Sequence, residues 1–494
     1  MTPWIVLAAI AIYFGLLFVI SHFSKRNTEG GNFFGNHKTP WIIAAIAAMG
    51  APISGVTFIS VPGMVVTKGF SYLEMLLGFA VGYAVIAYVL VPLFYKKNLT
   101  SIYGYLEDRY GSSTHSTGAW FFFISKMLGA SVRFFVVCIV LQNLVFAQFG
   151  IPFVFNIIVT VGLIFLYTSQ GGVKTVIWTD TLKTLCLVSA VVICIVSMMQ
   201  GLGFNFGSMC KSVVDDPSSR MFFFDNPKEG TYFWKQFIAG IFMVIATTGL
   251  DQDMMQRNLS CKNSKESGKS VLVGAVVQFI IISLFLILGV LMMQYFKVNT
   301  LGNASAANSE VVAALGSTDN LFSTVISSTG MPVVAVFLFM LGLCAASYST
   351  AGSALTALTT SFTIDILKAD KKDGGAKLDK TRKWVHASMA VCMGAVILVF
   401  NAINNQDAIS AVYLLASYTY GPILGLFAFG MLCKAPVRDK LVPIACIAAP
   451  VLSYLLKWWL KWAFDYTVGF ELLLINAVFV MLGMALLIKK DAKK

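Results

Sequence analysis

Charge is scarce in this chain. Asp, Glu, Lys and Arg make up 12% of its 494 residues, against about 25% in an average soluble domain, while 57% are hydrophobic. Long Pro/Gly/Ser linkers, low-complexity tracts and soluble appendages are also missing, so one integral domain over 1–494 is the economical reading. The nine cysteines stand singly, mostly inside apolar runs, with no C-x-x-C pair; that excludes a zinc site or a disulfide frame as the organising feature. The four histidines, His22, His37, His115 and His386, fall at or beyond the ends of apolar runs. With no buried His and no paired carboxylates, the chain lacks the cluster that catalysis at membrane depth requires, and it is not read as an enzyme.

What the chain has instead is apolar length. Thirteen runs are each long enough to cross a hydrocarbon core of about 30 Å: near 3–23, 40–66, 70–95, 116–148, 151–169, 177–203, 232–250, 269–296, 332–366, 384–403, 407–432, 441–463 and 469–488. The first follows Met1-Thr2-Pro3-Trp4 without a basic n-region and precedes Ser24-Lys25-Arg26 without a small-residue cleavage site, the pattern of a retained span. The net charge of +13 raises the question of nucleic acid, but it sorts by side of the membrane. If the N-terminus is outside, 25 of the 36 basic residues fall in one set of alternate loops and 8 in the other. The positive-inside rule then places the N-terminus out and the C-terminus in the cytoplasm. The expectation is a multi-pass protein of the cytoplasmic (inner) membrane, monomeric, with a lipid bilayer around it and no nucleic-acid partner.

Two interior features carry chemistry. Gly50-Ala51-Pro52-Ile53-Ser54-Gly55 lies in the middle of the second run, where Pro removes a backbone donor and Gly weakens the helix. A break there leaves carbonyls that lipid will not satisfy, so the segment faces a cavity, a ligand or an ion; the alternative is a Pro kink packed against neighbouring helices. In the ninth run Ala346, Ser349, Thr350 and Ser353 stand at i, i+3, i+4 and i+7, on one helical face. Hydroxyls and bare carbonyls suit a hard cation such as sodium, though Ser and Thr also serve as ordinary glue between membrane helices.

Ionisable residues inside the runs are Glu74, Lys126, Arg133, Asp180 and Lys183, and each is costly enough there to need a partner or a wet cavity. Asp180 could attract a cation leaving inward, or pair with Lys183 about one turn along the helix. Arg133 is suited to grip a substrate carboxylate, or to pair with Glu74.

The stretch Tyr167-Thr168-Ser169-Gln170-Gly171-Gly172 followed by Trp178-Thr179-Asp180 resembles the sodium:solute symporter family. Further landmarks accompany it in order: Thr100 with Tyr105-Leu106-Glu107-Asp108-Arg109-Tyr110, Asp251-Gln252-Asp253 with Gln256-Arg257, and Gly421-Pro422 with Gly425 and Gly430. The resemblance covers nearly the whole chain. It implies an all-α, leucine-transporter-like core of two inverted five-helix repeats, 40–203 and 232–432, with one extra helix before (3–23) and two after (441–488). It also implies a main sodium site on the carbonyls of Gly50, Ile53 and Ala346 and the hydroxyls of Ser349 and Thr350, the stripe already reached from helical spacing. The pattern is most similar to the sialic acid branch. There Asp180, Ser349 and Ser353 match a second sodium site, while Gly352 stands where the branch supplies another hydroxyl. Arg133 falls where that branch holds its substrate's carboxylate, and Ser54 and Thr57 match polar contacts. Pro52 and Leu76 depart from the branch, and Glu74 lies near where sugar carriers of the family place a hydroxyl-binding acid. The implied function is sodium-coupled import of a small polar solute, a carboxylate-bearing sugar acid; the alternative is a neutral sugar or polyol read by Glu74 and Ser54.

Overall fold

A computed structural model describes residues 4, 7–15, 53–97, 102–168, 173–259, 261–327, 332–369, 375–403 and 408–489, with the backbone alone at 173–182, 256, 335 and 375–376. Among them it is all helix, apart from one isolated bridge between Val437 and Ile488. Helix α1 covers residues 7–15. It is followed by α2 (Gly55–Lys68), α3 (Tyr72–Lys97), α4 (Ser112–Leu144), α5 (Phe153–Thr168), α6 (Val173–Gly201), α7 (Phe233–Gly249), α8 (Ser264–Asn299), α9 (Val333–Ser361), α10 (Gly375–Ile403), α11 (Ala408–Leu432), α12 (Val442–Phe464) and α13 (Leu472–Leu486). A helix therefore occupies each apolar run. Among the described residues 8 helices are long and apolar enough to cross a membrane, and α2, α5, α7 and α13 are shorter apolar helices.

Surface chemistry follows the lipid expectation. On α12, Ile444, Ile447, Val451, Leu455, Trp458 and Trp462 recur at three and four residues and are all exposed, an outward apolar stripe that water would not tolerate but hydrocarbon does. Inward faces close through small residues. A Cβ on Gly78 would sit 2.1 Å from the Phe237 carbonyl oxygen, and one on Gly240 2.2 Å from that of Met75, so α3 and α7 cross backbone to backbone. Gly78 and Gly82 form the small-xxx-small spacing that permits this.

Six of the helix pairings form matched sets. Helix α2 packs on α8 and α7 on α3; α4 packs on α11 and α9 on α6; α4 packs on α10 and α9 on α5. Exchanging α2–α6 for α7–α11 in order turns each pairing into its counterpart.

Two expectations need correction. The segments 204–231 and 297–331, expected as loops, contain the short helices Phe206–Asp215, Asn308–Leu315 and Asn320–Ser327; the first is started by Asn205, whose side chain accepts from the Ser208 N–H. His115 and His386 are buried, because α4 and α10 begin upstream of their apolar runs and carry these side chains into the protein.

Candidate functional site

Ile53 and Ser54 are not helical, and α2 begins at Gly55 with Ser54 as its extended N-cap. Gly50 and Pro52 lie outside the described residues. Among those described, the Ile53 carbonyl accepts no backbone hydrogen bond. The start of α2 lies against α9: a Cβ on Gly55 would meet the Ser347 Oγ at 2.0 Å, so a larger residue there would make Ser347 shift. The start of α2 and helix α9 are therefore neighbours.

A cavity of about 60 Å³ opens beside the break. It is lined by Ile53 and Thr57 of the α2 segment, Tyr72 and Tyr83 of α3, Lys126 and Arg133 of α4, Thr247, Thr248 and Asp251 at the end of α7, Gln278 of α8, and Tyr413 and Tyr420 of α11. Among the described residues no hydrogen bond or ion pair engages the Arg133 guanidinium, although the phenols of Tyr72, Tyr413 and Tyr420 lie within its electrostatic reach. The other expected contacts are placed differently. Ser54 is buried at the helix start with its N–H directed to Thr57 Oγ1 at 3.4 Å. Glu74 is buried outside the lining, where its Oε1 accepts from the Phe223 N–H at 2.8 Å; it does not pair with Arg133.

Both ends of the cavity are tied. At one end the Tyr72 and Tyr413 hydroxyls share a hydrogen bond of 2.6 Å, and the same two rings line a second cavity of about 440 Å³ with Lys68, Glu229 and Ser410. Lys68 Nζ donates to Ser410 Oγ at 2.5 Å across it. At the other end α7 stops: a π turn over Ile245–Gly249 ends the helix, and Asp251 caps a short helix, Gln252–Asn258, by accepting from the N–H groups of Asp253 and Met254. Lys126 Nζ lies 3.1 Å from both Asp251 oxygens and 3.0 Å from Asp253. Tyr420 donates to Asp251 at 2.7 Å, and Arg257 approaches Asp253 at 3.5 Å. Sequence reasoning picked out Lys126 as a charge in a span but not these partners; the end of α7 carries no Pro, and its available signal was Asp251 as an N-cap.

On the stripe, Ser349 is buried. Thr350 Oγ1 donates to the Ala346 carbonyl at 2.8 Å and accepts from Lys183 Nζ at 2.9 Å. Ser353 Oγ accepts from Arg257 at 2.5 Å. The Asp180 side chain lies outside the described residues.

Comparison with known proteins gives the chain a setting. The model of the family described as "Sodium:solute symporter family" matches residues 32–437. The human sodium/iodide cotransporter is 21% identical over 85% of this chain and 64% of its own length. The mouse sodium-coupled monocarboxylate transporter 2 is 22% identical over 84% and 65%, so the chain spans a little under two thirds of these two relatives. The sodium/sialic acid symporter NanT of Aliivibrio fischeri is 23% identical over 96% of this chain and 91% of its own. Among solved structures, a substrate-bound, outward-open sodium-coupled sialic acid symporter superposes with a TM-score of 0.79 at 19% identity, covering 98% of this chain and 97% of that one. A nucleobase-cation-symport-1 family transporter in a closed conformation gives 0.53 at 13% identity, over 93% and 94%.

Proposed function

The chain belongs to the sodium:solute symporter family, and on that premise we propose that it couples sodium entry to the import of a small carboxylate-bearing solute across the inner membrane, with Arg133 as the anchor. The observation that carries this reading is the Arg133 guanidinium, without hydrogen bond or ion pair among the described residues, on the wall of a polar cavity tied at both ends. A fixed charge inside a membrane protein is costly unless something neutralises it, and a planar guanidinium matches a carboxylate's two oxygens. The solutes in the relatives' names, iodide, monocarboxylates and sialic acid, are anions or acids. A sugar acid such as a sialic acid stays among the candidates. The neutral sugar or polyol has less behind it, because neither Glu74 nor Ser54 lines the cavity.

The matched pairings support two five-helix repeats, 40–203 and 232–432, in a leucine-transporter-like arrangement of thirteen spans with the N-terminus outside. Helix α2 then carries its Lys68 end outward, which makes the Tyr72–Tyr413 pair the outer closure and the Lys126–Asp251 network the inner one. Sodium binds between the α2 break and the α9 stripe, on the carbonyls of Gly50, Ile53 and Ala346 and the hydroxyls of Ser349 and Thr350. By drawing α2 against α9 it shapes the wall that bears Ile53 and Thr57. Its release inward loosens the same wall. Entry of one sodium down the membrane potential supplies about 2.3 kcal/mol per 100 mV. A second sodium at Asp180 and Ser353 has less support, because Ser353 is engaged by Arg257.

The test is uptake into proteoliposomes with an imposed sodium gradient. Ser349→Ala with Thr350→Ala abolishes sodium-dependent uptake, and Arg133→Ala abolishes binding of acids while leaving their amides unchanged. Retained uptake with unaltered sodium dependence, or equal binding of acids and neutral analogues by the wild type, overturns the assignment.

A further inference from the structure

Lys183 is one of the largest fully buried side chains in the protein, and its ammonium lies on one of the hydroxyls assigned to sodium. A hydroxyl has one proton and two lone pairs. On Thr350 the proton goes to the Ala346 carbonyl at 2.8 Å and one lone pair takes Lys183 Nζ at 2.9 Å. Two of the expected sodium ligands are thus already engaged, one of them by a positive charge carried on the protein. Helix α6, which bears Lys183, packs along α9, so the lysine reaches the stripe from α6.

We propose that the Lys183 ammonium is a tethered cation at the ion site, which competes with sodium for Thr350 and thereby sets how tightly sodium is held. The proposal rests on the reading of Ser349 and Thr350 as sodium ligands. A sodium ion on Thr350 has to take the remaining lone pair beside a like charge, or displace the ammonium to another acceptor. Either way its affinity is lowered, and the flexible lysine stem lets the ammonium return as sodium departs. The competitor makes sodium a weakly held, rapidly released co-substrate.

The experiment is a sodium titration of the purified full-length protein at constant ionic strength, with choline as the replacing cation, read by thermal stabilisation. Sodium-driven uptake into proteoliposomes is measured on the same preparations. Lys183→Gln and Lys183→Met, which remove the charge with and without a polar end, lower the sodium dissociation constant about tenfold or more and slow uptake at saturating sodium. Lys183→Arg, which keeps the charge, stays within about threefold of the wild type. A lysine that merely ties α6 to α9 would lower stability in both uncharged variants without tightening sodium binding, and that result overturns the proposal. If whichever uncharged variant folds binds sodium no more tightly while wild-type uptake remains sodium-driven, the tethered cation falls and the symport reading stands. If wild-type uptake ignores sodium, both fall.

Discussion

Replacing Lys126 with Met tests the proposed inner closure directly. Its ammonium lies between two carboxylates, 3.1 Å from Asp251 and 3.0 Å from Asp253, with the three side chains 7%, 3% and 14% exposed. Without it, Asp251 keeps the Tyr420 hydroxyl at 2.7 Å and the N–H groups of Asp253 and Met254 at 2.9 and 3.1 Å. Asp253 keeps Arg257 at 3.5 Å. Breaking a buried pair costs about 3–5 kcal/mol, because a charge is left uncompensated. The remaining donors on Asp251 place this case at the lower end, about 3 kcal/mol, or roughly 150-fold in an equilibrium constant. Thermal unfolding of the purified protein in detergent, followed by loss of the monodisperse peak, should show a clear destabilisation. Adding Asp251→Asn to Lys126→Met should recover most of it, since the orphaned charge is then gone. The gap between wild type and variant also depends on pH. Burial pushes the Asp253 carboxyl up, but Arg257 and Lys126 outweigh it and hold the group below the ordinary carboxylate range. A depressed folded value contributes stability above the unfolded pKa and loses it as pH falls through the folded one. The gap therefore persists at neutral pH and closes below about pH 4. A single variant as stable as the wild type, or a double variant no better than the single, refutes the reasoning.

Three further outcomes follow from the geometry. Glu74→Gln keeps the acceptor for the Phe223 N–H, so solute affinity measured by equilibrium binding should stay within about twofold; a large loss would return Glu74 to the solute site. Tyr72→Phe and Tyr413→Phe each remove the same hydrogen bond and should speed solute exchange from the 440 Å³ side, by an amount worth about 1 kcal/mol, with no further effect when combined. Gly78→Ala forces a methyl onto the Phe237 carbonyl and should destabilise by about 3 kcal/mol in thermal unfolding, whereas Gly162→Ala in α5, with nothing within 4 Å, should be neutral or gain up to about 1 kcal/mol.

The parts legible in the sequence are those whose causes are local. Gly and Pro around position 52 predict a break because their backbone effects need no partner, and Ile53 and Ser54 just beyond them are non-helical; Ser349, Thr350 and Ser353 share a face because helical spacing alone puts them there. Arg133 and Lys126 stood out because a charge among apolar residues needs a reason. What those charges meet was not legible: Lys126 and Asp251 are 125 residues apart and Tyr72 and Tyr413 are 341 apart, and no periodicity encodes such pairs. The contact between Lys183 and Thr350 likewise spans 167 residues. Local pattern offered Asp180 as a neighbour of Lys183, and the Asp180 side chain lies outside the described residues. The short helices at 206–215, 308–315 and 320–327 escaped because about two turns with polar caps look like loop to any test built on apolar length.

The exchange of helix pairings between the two halves has an energetic consequence. If each half can adopt the posture of the other, the two end postures of the whole molecule are assembled from the same kinds of interface, merely dealt to opposite faces. Packing then favours neither posture strongly, and the fold acts as a nearly level balance. A modest load, such as one ion or solute arriving or leaving, is enough to tip it.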